Sequence, residues 1–414
     1  MRVAVLSFYP HSMSTFVDVE QARERIKDQI YLSPFPHSET ISRMTGNKVF
    51  FKLENLQMTG SFKERGALNR LLTLTPEESK RGVIAASAGN HGMAVAFHSR
   101  RLNIASTIVM PSSAPLIKVS RVRQYGAESV LHGGDYDAAY AEAIKVSREK
   151  GLTFIPAFDD PWVVEGQGTL GLELYEQNPA LDAVIVPVGG GGLIAGMALA
   201  LKTLKPKVRI IGVQAAAVPS MKVALEQGAP AELPPATTIA DGIAVRAVGA
   251  TPFELVKNYV DEIVTVSEGE IANAVLMLLE VEKTVAEGAA AVPLAALINK
   301  KVLLAGKNVG LVISGGNIDM NLISRIIENG LIQDGRLGRF AIVISDRPGS
   351  LARLAQRVAD LGANILQIDH SRGFGDMAIG ETEVELILET AGAEHIQRIC
   401  DTLRADKFKI KNDR

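Results

Sequence analysis

Short apolar runs alternate with helical stretches through most of this chain. The runs lie at residues 49–53, 83–87, 105–110, 129–131, 153–156, 183–188, 209–213, 263–266 and 309–314. Each is too short for a helix and too uniformly apolar for a strand with one wet face. Helical composition fills the gaps, as at 138–150, 271–281 and 289–300. Runs of this kind predict parallel strands covered by helices on both faces, an α/β body. A body this long is large for one core, which predicts two lobes. It opens on a helix predicted over 18–30, with Asp18 as its cap and Gln21 three residues on.

The pattern changes near residues 334–338. Strands are predicted at 339–345, 363–370, 383–388 and 408–410, with helices at 348–361 and 394–403. The order is βαββαβ, a small ferredoxin-like unit over 338–414. Leu351, Leu354, Ala355 and Val358 share one helix face. Glu383, Glu385 and Glu389 mark the wet side of a half-buried sheet. Cys400, the only cysteine, falls on an apolar stripe with Ile396, Ile399 and Leu403 and reads as a core side chain.

Charge narrows the function classes. Lys and Arg total 44 against 46 Asp and Glu, so the chain lacks the basic surplus of a nucleic-acid binder. No apolar run reaches the roughly 20 residues of a membrane span. Residues 1–10 make a weak leader, and Met13 is an alternative start. One thiol excludes an internal disulfide and a cysteine-based metal centre, and it fits a reducing cytoplasm.

The glycines are clustered rather than unusually many. After the run at 183–188 come Gly189, Gly190, Gly191 and Gly192, then Leu193 and a helix. Successive N–H groups at a helix N-terminus make a phosphate site. The competing reading is a tight strand–helix turn, which needs only one or two glycines. Gly190, Gly192 and Ala195 match a dinucleotide spacing, but the next strand ends at Gln214 rather than at an acidic residue. A monophosphate is the better ligand. Two more polar glycine loops follow apolar runs: Ser87, Ala88, Gly89, Asn90, His91 and Gly92, and Ser314, Gly315, Gly316 and Asn317. Lys63 sits between Gly60-Ser61-Phe62 and a predicted helix start that carries Arg65. A helix N-terminus and a nearby arginine would both lower its pKa, as a Schiff-base amine requires. A surface lysine is the plain alternative. A lysine, a monophosphate cradle and two polar loops together point to pyridoxal 5′-phosphate.

On these four motifs, taken in order, the body resembles the fold-type II pyridoxal-phosphate enzymes, and within them the threonine/serine dehydratases. The 338–414 unit resembles an ACT regulatory domain, with Asp346, Arg347, Pro348, Gly349, Ser350 and Leu351 at its strand–helix junction. The resemblance implies a catalytic domain over 14–330, with a small lobe of about 58–160 inserted in the large one. It implies that Lys63 holds the cofactor covalently and that Phe62 packs on its ring. Gly189 to Gly192 and Leu193 would bind its phosphate, and Asn90 its phenolic oxygen. Ser87, Ala88, Gly89, Asn90 and His91 would bind the substrate carboxylate. Ser314 would face the pyridine nitrogen, where a neutral hydroxyl leaves the ring a shallower electron sink and favours loss of a β-substituent.

The implied reaction is deamination of L-threonine to 2-oxobutanoate and ammonia, with L-serine as a second substrate. A serine dehydratase or racemase, and a non-catalytic amino-acid sensor, are the alternatives. Serine racemases of this fold carry a serine where this chain has Ala88, and a metal-binding glutamate where it has Gln214. Those departures favour elimination and predict no required divalent metal. Glu287 matches a family glutamate near the cofactor, and reads equally as an acid at a helix N-terminus. His91 and His98 read as local hydrogen-bonding groups, Trp162 as core or hinge packing, and 118–123 as a solvated helix face. The resemblance also implies a homodimer or homotetramer. A branched-chain amino-acid effector would bind at Asp346, Gly349, Ser350, Leu351, Asn364 and Ile365; a purely structural dimerisation domain is the alternative.

Overall fold

The computed structural model describes residues 14–371 and 378–413. Met13 and the leader reading of residues 1–10 lie outside them. The chain divides into two compact units between Ile318 and Asp319, so residues 319–330 group with the second unit.

The first unit holds two sheets. Its strands are β1 (His37–Ser38), β2 (Lys48–Leu53), β3 (Val83–Ala86), β4 (Ser106–Met110), β5 (Glu128–Leu131), β6 (Thr153–Phe154), β7 (Ala183–Pro187), β8 (Arg209–Ala215), β9 (Glu262–Val266) and β10 (Asn308–Ile313). The larger sheet runs β1-β2-β10-β7-β8-β9, and the smaller β5-β4-β3-β6. Every pairing is parallel except that of the two-residue β1 with β2. The uniformly apolar runs have their reason here. Val184, Ile185 and Val186 of β7, and Val83, Ile84 and Ala85 of β3, are fully buried. Helices cover both faces of these two strands, so no position along them is wet, whereas at the sheet edges Leu131 of β5 is exposed and β9 is mostly half-buried. All three polar glycine loops leave the carboxyl ends of parallel strands: 87–89 after β3, 189–191 after β7 and 314–317 after β10. Such ends are where open α/β sheets bind ligands.

The first helix spans Phe16–Ile26. Its cap is Thr15, and Asp18 is the acid that completes the capping box. The expected cap at Asp18 was therefore three residues late. A carboxylate at the third helical position has the same sequence signature as one at the cap.

Two central helices, Pro161–Gln177 and Gly192–Leu204, cross at small residues. A Cβ on Gly196 would lie 2.2 Å from the Val164 carbonyl oxygen and 2.7 Å from the Gly168 nitrogen. On Gly171 it would lie 2.9 Å from the Met197 carbonyl. The crossing is backbone against backbone, because a β-carbon does not fit.

The second unit carries β11 (Leu337–Ser345), β12 (Asn364–Ser371), β13 (Glu381–Glu389) and β14 (Lys409–Asp413), with helices Ser350–Asp360 and Ala393–Ala405. The sheet is antiparallel in the order β12-β13-β11-β14. From β11 onward the order is βαββαβ. Leu354, Val358, Ile399, Cys400 and Leu403 close over Phe340, Ile342, Val384, Leu386 and Leu388. Glu383 and Glu385 are half-buried and Glu389 exposed, alternating with buried Val384, Leu386 and Leu388.

One consequence concerns the helix crossing. Gly196→Ala should destabilise the first unit by about 1–3 kcal/mol, the usual penalty for overpacking. Urea unfolding followed by far-ultraviolet dichroism would read it. An unchanged midpoint would mean that the two helices are free to separate.

Candidate active site

Lys63 is the first residue of the helix Lys63–Leu72. The turn before it is laced to the loop after β10. Phe62 N–H donates to the Ser314 carbonyl at 3.0 Å, Gly316 N–H to the Gly60 carbonyl at 2.9 Å, and Ser61 bridges Gly315. Gly60 takes φ +80°, where a side chain is disfavoured. These bonds hold the lysine turn beside Ser314, itself buried at the end of β10.

The Lys63 ammonium donates to the Ala157 carbonyl at 2.8 Å. The side chain is only partly buried, yet protein crowds the amine. That desolvation brings its pKa down to about 8, against an opposing pull from Glu287. Arg65 has no share in the shift, contrary to expectation. It is 1% exposed and bound to two carboxylates. Its Nε lies 2.7 Å from Glu54 Oε2, and its Nη1 2.6 Å from Glu173 Oε1. Lys52 joins them, 2.7 Å from Glu173 Oε2. This neutral cluster anchors the lysine helix to β2 and to the helix Pro161–Gln177. Behind Lys63, Glu64 accepts from Thr59 N–H and pairs with His98 Nε2 at 3.3 Å.

Ala157 leads to the glycine turn after β7. The next residue, Phe158, packs its ring against Gly190, where a Cβ would fall 2.3 Å from the ring. A Cβ on Gly192 would meet the Phe158 backbone at 3.0 Å, and one on Gly191 would meet Met221 at 2.6 Å and Pro252 at 2.8 Å. Gly191 is also left-handed, at φ 97°. No side chain caps the helix Gly192–Leu204, so its first N–H groups lack the partner a cap would supply. A glycine cradle at an uncapped helix N-terminus fits a phosphate group. Gly189 abuts Ile243 and Val245, and Leu193 is buried in the core behind.

The third loop brings Ser87, Ala88 and Gly89 to the start of the helix Asn90–Arg101, again without a side-chain cap. Gly89 N–H donates to Ser87 Oγ at 3.2 Å. His91 Nε2–H donates to the Ile155 carbonyl at 2.9 Å. Burial first, and then the Lys63 charge, push its pKa down to about 3, so the ring is neutral. Asn90 Nδ2 donates to both Glu287 oxygens, at 2.8 and 3.0 Å. Glu287 occupies the cap position of the helix Gly288–Ile298 but makes no capping bond. Burial raises its pKa to about 7.

Some side chains depart from expectation. The 118–123 stretch is a solvated face only at Ser120 and Arg123. Lys118 Nζ lies 3.0 Å from Asp241 Oδ2, and Arg121 Nη1 donates to Asn317 Oδ1 at 3.2 Å. Both reach from beside the smaller sheet to loops of the larger one. A basic helix face has the same pattern whether water or a second lobe faces it. Trp162 packs under the Arg70 guanidinium, 4.5 Å from ring centroid to Cζ. Gln214 is fully buried; its Nε2 donates to Val188 O and Ser220 Oγ, both at 3.3 Å, and its Oε1 accepts from Lys222 N–H at 3.0 Å. In the second unit, Asp346, Gly349, Ser350 and Leu351 line one cavity of about 550 Å³, joined by His370 and Thr382. Asn364 and Ile365 are not among its lining residues; Asn364 donates instead to Glu389 at 3.2 Å.

Comparison with known proteins agrees with this geometry. Over 399 residues the chain is 46% identical to the L-threonine ammonia-lyase of Thermotoga maritima, covering 96% of this chain and 99% of that one. A solved structure of threonine deaminase isoform 2 from Solanum lycopersicum superimposes with a TM-score of 0.73 at 37% identity, over 75% of this chain and 91% of that one. Maize serine racemase also gives 0.73, at 32% identity, over 78% of this chain and 99% of that one. The family model for pyridoxal-phosphate-dependent enzymes matches residues 26–315. Since that span holds Lys63, the glycine cradle, the 87–92 loop and Ser314, the chain belongs to the pyridoxal-phosphate-dependent enzymes and uses pyridoxal 5′-phosphate as its cofactor.

Proposed function

We propose that this chain is an L-threonine ammonia-lyase, eliminating water from L-threonine to give 2-oxobutanoate and ammonia, with L-serine as a second substrate. The observation that carries the reading is a desolvated lysine amine next to a glycine cradle, in a chain 46% identical to a threonine ammonia-lyase along 96% of its length. Bound pyridoxal phosphate supplies an electron sink for the α-carbon. The protein does the rest. Lys63 would hold the cofactor, and its free amine would take the α-proton at Nζ. The N–H groups of 189–193 hold the phosphate, and Ser87 with the 88–91 backbone holds the substrate carboxylate. Phe62 backs the ring, Asn90 faces the phenolic oxygen, and Ser314 faces the pyridine nitrogen.

The likeness to maize serine racemase keeps serine chemistry in view. Ala88, however, has neither acid nor base to return a proton on the face opposite Lys63. Elimination is the outcome that side chain favours. The second unit serves as an ACT-type regulatory domain. Its cavity, with Asp346 and the uncapped helix at Ser350, has room for a free amino acid, with isoleucine or valine as effector. Homodimer or homotetramer assembly and residence in the cytoplasm complete the proposal; among the described residues no helix is long and apolar enough to cross a membrane.

Three outcomes are expected. Lys63→Ala abolishes 2-oxobutanoate formation, and borohydride fixes cofactor to Lys63 in the parent chain, located by peptide mass spectrometry; retained turnover overturns the assignment. Covalent capture of added cofactor by the apoprotein accelerates as pH rises through about 8, because only the neutral amine attacks. A rate flat from pH 6 to 10 contradicts it. Titration with isoleucine or valine changes either the rate or the oligomer size. If no branched-chain amino acid alters either, regulation at the 346–351 cavity is excluded.

A further inference from the structure

One continuous path of polar side chains runs from the helix Leu116–Gln124 to a buried carboxylate. Arg121 Nη1 donates to Asn317 Oδ1 at 3.2 Å. Asn317 Nδ2 donates to Asn90 Oδ1 at 2.8 Å and to the Thr59 carbonyl at 2.7 Å. Asn90 Nδ2 donates to both oxygens of Glu287. We propose that Arg121 is a positioning residue, which acts through Asn317 to fix the orientation of the Asn90 amide against the cofactor. This rests on the functional reading in which Asn90 faces the cofactor.

The ends of the path dictate its direction. The guanidinium at one end only donates, and the Thr59 carbonyl beside Asn317 only accepts; at the other end both Glu287 oxygens accept from Asn90. Two amides lie between these ends, and each has one orientation that satisfies its neighbours. Turning Asn317 over would set its NH₂ against the guanidinium and its oxygen against the Thr59 carbonyl and Asn90 Oδ1. Turning Asn90 over would set two NH₂ groups together. An asparagine alone in a cleft has no such constraint.

The glycines give an independent sign that this path is built. A Cβ on Gly315 would lie 2.7 Å from Glu287 Oε1 and 3.1 Å from Asn90 Nδ2, although Gly315 has no left-handed φ to explain it. A Cβ on Gly60, whose φ of +80° by itself favours glycine, would also lie 3.0 Å from the Asn317 amide. The two loops are thus bare of side chains where the path runs between them. The helix that supplies Arg121 buries Val119 and Val122 and leaves Leu116 82% exposed. On the same helix Lys118 donates instead to Asp241 Oδ2 at 3.0 Å. Arg121 therefore enters the path through a hydrogen bond, whereas the neighbouring Lys118–Asp241 pair acts on Glu287 only through its charges.

The test compares Arg121→Ala, Arg121→Lys and Lys118→Ala as holoenzymes. Arg121→Ala should lower kcat roughly tenfold, the scale of a displaced positioning group, and should alter the absorption spectrum of the bound cofactor. KM for L-threonine should move by less than about twofold. Arg121→Lys, which keeps a donor, should recover most of both. Lys118→Ala should leave the spectrum as in the parent. The proposal falls if Arg121→Ala keeps the parent spectrum and kcat, whatever its thermal midpoint. It falls equally if Lys118→Ala changes the spectrum as much, since that would mark a general clamp. Should Arg121→Ala not fold, Arg121→Gln takes its place, because its shorter side chain cannot span the same distance; a parental spectrum in that folded variant overturns the proposal in the same way. Absence of borohydride-trapped cofactor on Lys63 in the parent chain would instead refute the functional reading beneath it.

Discussion

The buried cluster of Arg65, Lys52, Glu54 and Glu173 is the interaction on which the site depends. It ties the lysine helix to a central strand and to the helix Pro161–Gln177 through two cations and two carboxylates, with Arg65 and Glu54 almost wholly out of water. Such a cluster is a poor source of net stability, because desolvation offsets much of the Coulomb attraction. Its value is geometric. The bidentate Arg65–Glu54 pair, Nε to Oε2 at 2.7 Å and Nη2 to Oε1 at 2.8 Å, allows the helix one rotation about its axis. That rotation sets the side of the helix from which Lys63 leaves.

With Arg65 neutralised, the charge on Lys63 has little nearby to repel it. What lowers its affinity for a proton is the crowding of protein around the amine, only partly opposed by Glu287. The anionic ends of the ligands are met differently. Two helices start without side-chain caps, at Gly192 and at Asn90, and offer backbone N–H groups instead of cationic side chains. A chain of nearly balanced charge can bind a phosphate and a carboxylate in this way, since partial charges on fixed N–H groups need no basic surface.

Much of this is legible in the sequence. The uniform apolarity of the strands around residues 84 and 185 requires burial on both faces, and so a parallel sheet. Four glycines in a row exceed what a turn needs. The misses share a cause. Periodicity cannot tell a helix face against water from one against another lobe, so Lys118 and Arg121 read as solvated. Proximity in sequence suggests that Arg65 acts on Lys63; a helix separates neighbours angularly, and Arg65 points to its own carboxylates. Phe158 and Ala157 carry no motif at all, because their role comes from a crossover segment passing between lysine and cradle.

The sequence by itself determined the α/β body, the βαββαβ unit, and which short segments carry glycine, lysine and amide groups, because these follow from periodicity and residue chemistry along a few adjacent positions. Only the tertiary structure decided which segments meet. Asn90, Glu287 and Asn317 are more than two hundred positions apart at their extremes and fall within hydrogen-bond reach of one another. That meeting follows from strand order, β10 lying between β2 and β7, and strand order is set by the packing of whole sheets rather than by any local run of residues.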